Sequence, residues 1–430
     1  MFEKLSRYLV PLAGKLNNNR YLTVLRDAFM LAFPLTIFGS IFVVLTNLPF
    51  LDQLMNEGAL ATFRESFSIA SSATMGMMSV FVAFGIGYYL SKSYNVEAIF
   101  GGAIALVSFF ILTPFMVETE AGEVVQGVIP LDRLGAKGMF LAMMTAFLSA
   151  EIYRRIVQRN ITIKMPPGVP PAVAKSFAAL IPAVLTLTVF LAINVFVSQL
   201  FHTNMHDVIY QAVQAPLVGL GSGIIPTLIA IFFIQILWFF GLHGQVIINS
   251  VMDPIWNTLM IENLEAYTNG EPVPNIISKP FIEIFTVGMG GTGMTLAVVF
   301  AILLFMKSQQ LKQVGKLGIG PGLFNVNEPI IFGLPIVMNP LIIVPWILSP
   351  MIVTLVTYFS MASGLVPPPT GVAVPWTVPF FINGIMATNS IAGGLLQLVN
   401  LMIVFMIWYP FLKSMDRFNL KKEQKEKNAA

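Results

Sequence analysis

Cysteine is missing from the sequence, and charged residues are scarce. The 430 residues include no cysteine, which excludes disulfide bonds and thiolate metal sites within this chain. Charged residues make up 10% of the chain and hydrophobic residues 56%, whereas an average soluble domain has about 25% charged residues. Many apolar segments approach the roughly 20 residues needed to cross a bilayer. The composition therefore predicts an all-α integral membrane protein.

Residues 1–176 form the predicted N-terminal membrane half. Met1 to Asp27 is basic and amphipathic, which is typical of an interfacial helix. Residues 153–176 combine several Arg and Lys residues with a proline-rich run, and we interpret them as a cytoplasmic linker. Between these two segments the apolar runs predict spans at about 28–48, 69–90, 98–117 and 136–152, with connections at 49–68 and 118–135.

Residues 177–412 form the predicted C-terminal half, and a basic tail follows at 413–430. The spans predicted here are at about 178–201, two within 223–262, then 281–306, 334–361 and 395–412. Counting 372–391 as a further full span would place the basic tail outside, against the positive-inside rule. The proline-broken segment 366–391 is therefore predicted to enter and leave on one side, and the Gly-rich segment 317–333 is a second re-entrant candidate. The prediction is about ten spans, two re-entrant hairpins and both termini in the cytoplasm.

A carboxylate flanked by two amides lies in the second half. Asn325, Asn327 and Glu328 precede Pro329, and an apolar run follows. The residue before a proline is biased away from helix, and broken backbone at membrane depth requires protein or a water-filled cavity around it. A carboxylate inside a membrane usually has a function. Glu328 is therefore a candidate catalytic residue; the alternative is a solvated loop residue that caps the next helix.

A histidine lies at the predicted turn between two spans. His243 precedes Gly244 and follows the Gly241-Leu242 pair, and glycines allow close backbone approach around a small polar ligand. Polar side chains at this depth need a partner. We expect His243, Gln245 and Asn249 to face an internal cavity; the alternative for His243 is a buried ring satisfied by a backbone carbonyl.

The segment Gly288–Gly293 matches the GxGxxG pattern in form. A dinucleotide site requires a preceding strand, and none is predicted here. A broken helix that presents Thr292 and its backbone amides to a substrate fits better. His202 and His206 have a spacing that suits a metal ion and lie beside Asp207, but the segment is interfacial and no metal site is predicted.

The polar groups of the second half suggest a neutral, hydroxyl-rich ligand. Trp376 lies between prolines and offers an aromatic face for a sugar ring. The remaining candidates are a carboxylate, an imidazole, amides and a hydroxyl, which can pair with groups that both donate and accept hydrogen bonds. No cationic residue is expected in the core of these segments, and an anionic substrate would need one.

Two stretches carry a resemblance to a known family. Residues 325–333 (Asn-Val-Asn-Glu-Pro-Ile-Ile-Phe-Gly) and 238–244 (Trp-Phe-Phe-Gly-Leu-His-Gly) resemble the membrane IIC component of bacterial sugar phosphotransferase systems. The lactose/cellobiose/N,N'-diacetylchitobiose group is the most similar, over nearly the whole chain. The resemblance implies ten spans, two re-entrant hairpins, a homodimer formed by the N-terminal halves and a sugar site in the C-terminal half. It places Glu328 and His243 near the sugar hydroxyl that is phosphorylated, and Trp376 at an aromatic contact.

The resemblance also implies the partners. In such systems the phosphoryl group arrives on a cysteine of a IIB component, and this chain has no cysteine. IIB is therefore expected to be a separate cytoplasmic protein. The chain would import a disaccharide by an elevator-type movement and present its 6-hydroxyl to the IIB phosphocysteine. It would be a transporter in an EC 2.7.1-type complex of the bacterial inner membrane, without cofactor, metal or nucleic acid.

Two other functions stay open at this point. A proton-coupled disaccharide transporter would titrate Glu328 during its cycle. A membrane-embedded glycosyltransferase or hydrolase would need a second catalytic carboxylate, for which Glu283 is the candidate. The remaining acidic residues lie mostly in predicted loops and tails, which disfavours this enzyme.

Overall fold

The computed structural model describes residues 15, 18–46, 51–118, 123–334, 336, 339 and 341–429. Most of the predicted interfacial helix at Met1–Asp27 lies outside these residues. Its described end belongs to the first membrane helix, because α1 runs from Arg20 to Thr46. The described residues form two compact units. One contains Asn18–Val43 and Asn56–Gly219; the other contains the described residues of Val44–Met55 and the chain from Leu220 onward.

The first unit is a set of packed helices. The short α2 (Leu51–Leu54) follows α1 in the chain and belongs to the other unit. The further helices of the first unit are α3 (Glu57–Ser72), α4 (Met78–Ser93), α5 (Ala98–Leu112), α6 (Met139–Gln158), α7 (Pro171–Phe201), α8 (Met205–Ile209) and α9 (Ala215–Gly221). Helices α4 and α5 lie so close together at Gly87 that an added Cβ would collide with the carbonyl oxygen of Gly101. Small residues at such helix crossings are typical of membrane proteins. Ser108 and Ser149 share a hydrogen bond of 3.2 Å between α5 and α6.

A short hairpin adds strand to the predicted all-α fold. The strands β1 (Met116–Glu118) and β2 (Val124–Gln126) pair antiparallel. β1 covers the end of the predicted span 98–117, whose helix ends at Leu112, and β2 lies in the predicted connection 118–135. Two segments between predicted spans, the connection at 49–68 and residues 202–222, are largely helical. Each contains an asparagine that caps a helix: Asn56 accepts from the Ala59 amide at 2.8 Å, and Asn204 accepts from the Asp207 amide at 3.0 Å. Such caps satisfy the first amides of a helix, so α3 and α8 begin there.

The second unit combines long helices with interrupted ones. Its helices are α10 (Ile224–Phe239), α11 (Gly244–Thr268), α12 (Thr295–Phe305), α13 (Gln309–Leu323), α14 (Glu328–Gly333), α15 (Ile343–Ala362), α16 (Ile382–Thr388) and α17 (Ile391–Ala429). Helix α11 continues to Thr268, past the predicted end of its span at Glu262. The segment 363–381 has no helix, as its prolines predict.

The basic tail forms the end of α17, and two carboxylates of α17 accept hydrogen bonds from the residues at the start of α13. Asp416 is almost fully buried, and its Oδ1 accepts the amides of Lys307 and Ser308 at 2.8 Å and 2.7 Å. Glu423 accepts from the Ser308 hydroxyl at 2.8 Å and from the Gln310 amide at 3.2 Å. Carboxylates bind well at a helix N-terminus because its first amides lack helical partners. Residues 413–429 are therefore an integral part of the second unit.

Several helices are long and apolar enough to cross a membrane. Among the described residues there are four such helices, or up to six if each of two bent pairs counts as one span. Shorter apolar helices lie at Ala98–Leu112 and Thr295–Phe305. The chain is a multi-helix membrane protein, and the count of ten spans stays a prediction.

Candidate functional site

The turn at residues 240–243 positions His243. Gly241 has a positive φ of 79°, and a Cβ on Gly244 would meet the carbonyl of Ile234, so α10 and α11 approach closely here. The imidazole Nδ1 of His243 accepts the Val246 amide at 3.3 Å and caps α11. Its ring lies 4.4 Å from the ring of Trp238, centroid to centroid. The predicted turn is confirmed, and His243 lies at the start of the helix that also carries Gln245 and Asn249.

The Gly-rich segment is a broken helix, as predicted. A π-helical turn at Phe281–Phe285 ends in a run of turns, and α12 begins only at Thr295. The interrupted backbone leaves carbonyls without helical partners, and side chains of α17 satisfy two of them. Gln397 donates to the carbonyl of Ile284 at 2.8 Å, and Asn400 donates to that of Phe285 at 3.2 Å. This protein cover is the condition under which broken backbone is stable at membrane depth.

Asn325 connects three segments of the second unit. Its Oδ1 accepts the Gly290 amide at 2.8 Å, and its Nδ2 donates to the carbonyls of Trp376 and Val378 at 2.6 Å and 2.9 Å. The residue itself has a φ of 63°, a left-handed conformation that asparagine tolerates better than most residues. Asn325 therefore fixes the proline-rich segment and the Gly-rich segment against its own loop.

A second chain of hydrogen bonds runs from Asn327 to Gln245. The Nδ2 of Asn327 donates to the carbonyl of Thr292 at 2.6 Å. The hydroxyl of Thr292 donates to Oε1 of Gln245 at 2.7 Å. Asn327 and Thr292 are both buried. These bonds join the loop before α14 to the Gly-rich segment and to the first turn of α11, two residues after His243.

Glu328 and Trp376 complete the predicted set. Glu328 is the first residue of α14, directly after Asn327, and its side chain lies outside the described residues. Trp376 is 51% exposed, while its carbonyl is held by Asn325. The indole face is thus open and its backbone is fixed. The structure brings all eight predicted positions into one region of the second unit.

An ion cluster lies on the same face of α11. Lys279 pairs with Asp253 and with Glu283 at 3.0 Å. With its amide oriented to satisfy both neighbours, Asn249 donates to the carbonyl of Gln245 and accepts from Nζ of Lys279, each at 3.1 Å. The prediction that these segments have no cation in their core is therefore wrong. Lys279 lies between the predicted spans within 223–262 and at 281–306, yet only 14% of its side chain is exposed.

His202 and His206, whose spacing suits a metal ion, have other structural roles in the first unit. His206 is buried, and its Nε2 lies 3.0 Å from the hydroxyl of Thr113. Asp207 pairs with Arg133 at 2.5 Å. His202 ends α7 in a left-handed conformation with a φ of 51°. Among the described residues, no group of three His, Cys, Asp or Glu side chains is arranged to hold a metal ion.

The family can be established by comparison with known proteins. The model of the family described as "Phosphotransferase system, EIIC" matches residues 26–350. The chain belongs to this EIIC family. The resemblance drawn from residues 238–244 and 325–333 is thereby confirmed, and the chain is a sugar-transport subunit of a phosphotransferase system.

Individual relatives cover the EIIC chain from end to end. It is 78% identical over 426 residues to the oligo-beta-mannoside-specific EIIC component of Bacillus subtilis (strain 168), covering 99% of this chain and 96% of the relative. It is 41% identical to the cellobiose-specific EIIC component of Geobacillus stearothermophilus, covering 97% and 94%. The crystal structure of ChbC, the IIC component of an N,N'-diacetylchitobiose-specific phosphotransferase system, superposes with a TM-score of 0.92 at 41% identity, covering 98% and 99%.

The ion cluster beside the candidate residues was not predicted from the sequence. Gln245, Asn249 and Asp253 are four residues apart, which places them on one face of α11. That spacing was available in the sequence and extends the predicted polar face by one turn. Lys279 had no such signal, because its role depends on contacts with Asp253 and Glu283 that only the fold creates.

Proposed function

We propose that this EIIC protein imports a β-linked disaccharide that is phosphorylated at its 6-hydroxyl by a separate IIB protein. The observation that carries the proposal is the hydrogen-bond network that joins Asn325, Asn327, Thr292 and Gln245 next to His243 and Glu328. The open indole of Trp376 adds a stacking surface for a pyranose ring. Relatives specific for oligo-β-mannosides and cellobiose support a β-linked substrate.

The proposed chemistry is a phosphoryl transfer between a thiolate and an alcohol. The oxygen of the sugar 6-hydroxyl attacks the phosphorus of the IIB phosphocysteine, an O–P bond forms, and the P–S bond breaks to release the thiolate. The hydroxyl proton passes to a base of this chain. The product is a sugar phosphate, whose charge traps it in the cytoplasm.

His243 and Glu328 have different roles in this proposal. Because Nδ1 of His243 accepts the Val246 amide, the neutral ring carries its proton on Nε2. In that tautomer the ring donates a hydrogen bond to the sugar oxygen and does not accept its proton. The carboxylate of Glu328 is then the base, and a positioned base contributes about 10²–10⁴-fold to the rate. Asn325 and Asn327 position the loop that ends at Glu328.

The transport step is proposed to be an elevator-type movement of the sugar-binding part of the predicted C-terminal half (177–412) that lies in the second unit, from Leu220 onward, together with the end of α17. Contacts within the second unit support a rigid carrier, since α17 holds the π-helical turn through Gln397 and the start of α13 through Asp416. We further propose a homodimer formed by the N-terminal halves, cytoplasmic termini and residence in the bacterial inner membrane. The basic linker at 153–176 and the basic residues after 412 support this orientation.

The test is uptake of radiolabelled β-mannobiose, cellobiose, diacetylchitobiose and lactose by cells that lack their own carriers. The chain is expressed with and without a cognate IIB, and Glu328→Gln is compared with Glu97→Gln. Glu97 pairs with Lys175 at 2.9 Å in a largely exposed position and is the matched control. We expect phosphorylated disaccharide to accumulate only with IIB, and Glu328→Gln to bind sugar but lose at least 100-fold in phosphorylation.

The opposing outcomes are distinct. Accumulation of unmodified sugar that collapses with a protonophore indicates a proton-coupled transporter instead. Normal phosphorylation by Glu328→Gln removes that residue from the chemistry. For His243, the Asn variant keeps an acceptor for the Val246 amide, whereas the Gln variant keeps a donor near the place of Nε2. The proposed tautomer predicts that the Gln variant retains more phosphorylation than the Asn variant.

A further inference from the structure

The cluster of Asp253, Lys279 and Glu283 continues the polar face of α11 beyond the residues already assigned. Gln245, Asn249 and Asp253 follow one another every four residues. From Gln245 to Asp253 the helix rises about 12 Å, a length of the order of two linked pyranose rings. A disaccharide whose first ring lies at His243 and extends along α11 therefore brings its second ring to Asp253.

The cluster is accessible although its surroundings are buried. From Ile277 to Val299 every residue is buried except Lys279, Glu283 and Gly288. The side chains of Lys279 and Glu283 are 14% and 25% exposed, and that of Asp253 is 16% exposed. Charged groups are strongly disfavoured against lipid. This incomplete burial leaves part of each charged side chain within reach of a small polar ligand.

Lys279 bonds only one carboxylate oxygen each of Asp253 and Glu283. An ammonium group has three N–H donors. Those of Lys279 point to Asp253, to Glu283 and to the side-chain oxygen of Asn249. Within the described part of the chain, no hydrogen bond reaches the second carboxylate oxygen of Asp253 or Glu283. Two carboxylates and one ammonium carry a net charge of −1, so the cluster offers negatively charged acceptors to a ligand.

We propose that Asp253 and Glu283 determine specificity for the second sugar ring by accepting hydrogen bonds from its free hydroxyl groups, and that Lys279 positions both carboxylates. This inference rests on the proposed function, because it assumes a disaccharide whose first ring lies at His243. The ligand class is a neutral disaccharide with unsubstituted hydroxyls on its reducing ring. A ring that presents only acceptors or a negative charge to this cluster is disfavoured.

The test measures binding to the purified full-length protein by titration calorimetry. The ligands are cellobiose, β-mannobiose and analogues of each in which single hydroxyls of the reducing ring are replaced by hydrogen. The proteins are wild type, Glu283→Gln and Asp253→Asn, which preserve shape and remove one charge each. Methyl β-glucoside and methyl β-mannoside, which occupy only the first ring's position, serve as ligand controls. Thermal melting establishes that each variant is folded.

The expected result is a loss of selectivity. For wild type, at least one deoxy analogue binds about tenfold more weakly than its parent, because a hydrogen bond to a charged group is lost. In the Glu283→Gln and Asp253→Asn variants, the affinity for the parent disaccharide falls by a similar factor, while the affinity for that deoxy analogue changes little. The ratio of the two affinities therefore falls toward one. Binding of the methyl glycosides stays unchanged.

Three outcomes overturn the proposal, and they are distinguishable. If the variants weaken the parents, the deoxy analogues and the methyl glycosides by the same factor, the cluster only stabilises the fold. If wild type binds the methyl glycosides and disaccharides without discriminating among the deoxy analogues, the cluster does not contact the second ring. If no sugar binds to wild type, the proposed function itself fails, and the specificity role fails with it.

Discussion

Among the described residues, buried amide side chains that bridge distant segments are more frequent in the second unit than in the first, where Gln214 donates to the carbonyl of Ala136 at 3.0 Å. In the first unit, hydroxyls such as those of Ser108, Thr113 and Thr186 donate to carbonyls four residues earlier on their own helices. In the second unit, amide side chains connect distant segments, as Asn325 does with the carbonyl of Trp376 and Gln397 with that of Ile284. The first pattern leaves helices continuous, whereas the second compensates for helices that are broken.

This difference indicates which unit depends on hydrogen bonds between segments to hold its candidate site together. A continuous helix satisfies its own backbone and needs no neighbour for that purpose. A broken helix exposes backbone groups, and each buried group without a partner costs about 1–3 kcal/mol. The second unit therefore holds its segments in fixed positions through cross-segment bonds. Substitutions that remove such contacts are expected to impair transport more than equivalent substitutions in the first unit.

The largest effect is expected for Gly293→Ala. Gly293 has a φ of 80°, and a Cβ at this position would overlap the ring of Trp346, which is buried and donates to the carbonyl of Gln235 at 2.9 Å. Overpacking costs about 1–3 kcal/mol, and the left-handed backbone adds about 1–2 kcal/mol. We expect the melting temperature and the yield of folded protein to fall and uptake to drop at least tenfold.

The control for this variant is Gly127→Ala in the first unit. Gly127 has a φ of 78°, and no heavy atom lies within 4 Å of the added Cβ. It carries the same backbone strain without the collision. Equal losses in melting temperature and uptake would attribute the effect to backbone strain alone and contradict the packing argument.

A smaller loss is expected for Asn325→Ala. The substitution removes all three side-chain hydrogen bonds of Asn325 and leaves the Gly290 amide without that acceptor. We expect sugar binding and uptake to fall about tenfold or more, since a single buried unsatisfied group costs about 1–3 kcal/mol. Asn325→Asp keeps the acceptor and loses both donors, so its binding should be intermediate.

Asn160→Ala is the matched comparison for Asn325→Ala. Asn160 has a φ of 56° but is exposed and follows the last turn of α6. Near-normal uptake by this variant, beside a defective Asn325→Ala, assigns the loss to the cross-segment bonds. Similar uptake defects in both variants would mean that the left-handed conformation is the common cause.

The smallest effect is expected for Thr292→Val, which removes only the hydroxyl that donates to Gln245 at 2.7 Å. A neutral hydrogen bond contributes about 1 kcal/mol, so sugar affinity measured by calorimetry should fall roughly fivefold. Thr186→Val removes a hydroxyl that donates to the carbonyl of Pro182 on its own helix at 2.7 Å. If Thr186→Val weakens sugar binding as much as Thr292→Val, the distinction between the two patterns is lost.

Much of the fold was predictable because membrane helices have a strong and local sequence signal. The break at Gly241–Gly244, the interruption at Gly288–Gly293 and the non-helical segment rich in prolines follow from residues that do not sustain a helix. The helices within 49–68 and 202–222 were missed, because those segments are less apolar and were interpreted as connections. Their asparagine caps at Asn56 and Asn204 were the available signal.

The amino-acid sequence by itself determined the membrane class, the breaks in the helices, the family and the positions of Glu328 and His243. Those features depend on composition, local backbone preference and short motifs, all of which can be read along one chain. Only the tertiary structure decided which polar groups meet. The bonds of Asn325 to Gly290 and Trp376, and the pairing of Lys279 with Asp253 and Glu283, join residues that are far apart in the sequence. Such contacts exist because the broken helices must satisfy their backbone and charged groups within the protein, where neither water nor lipid supplies a partner.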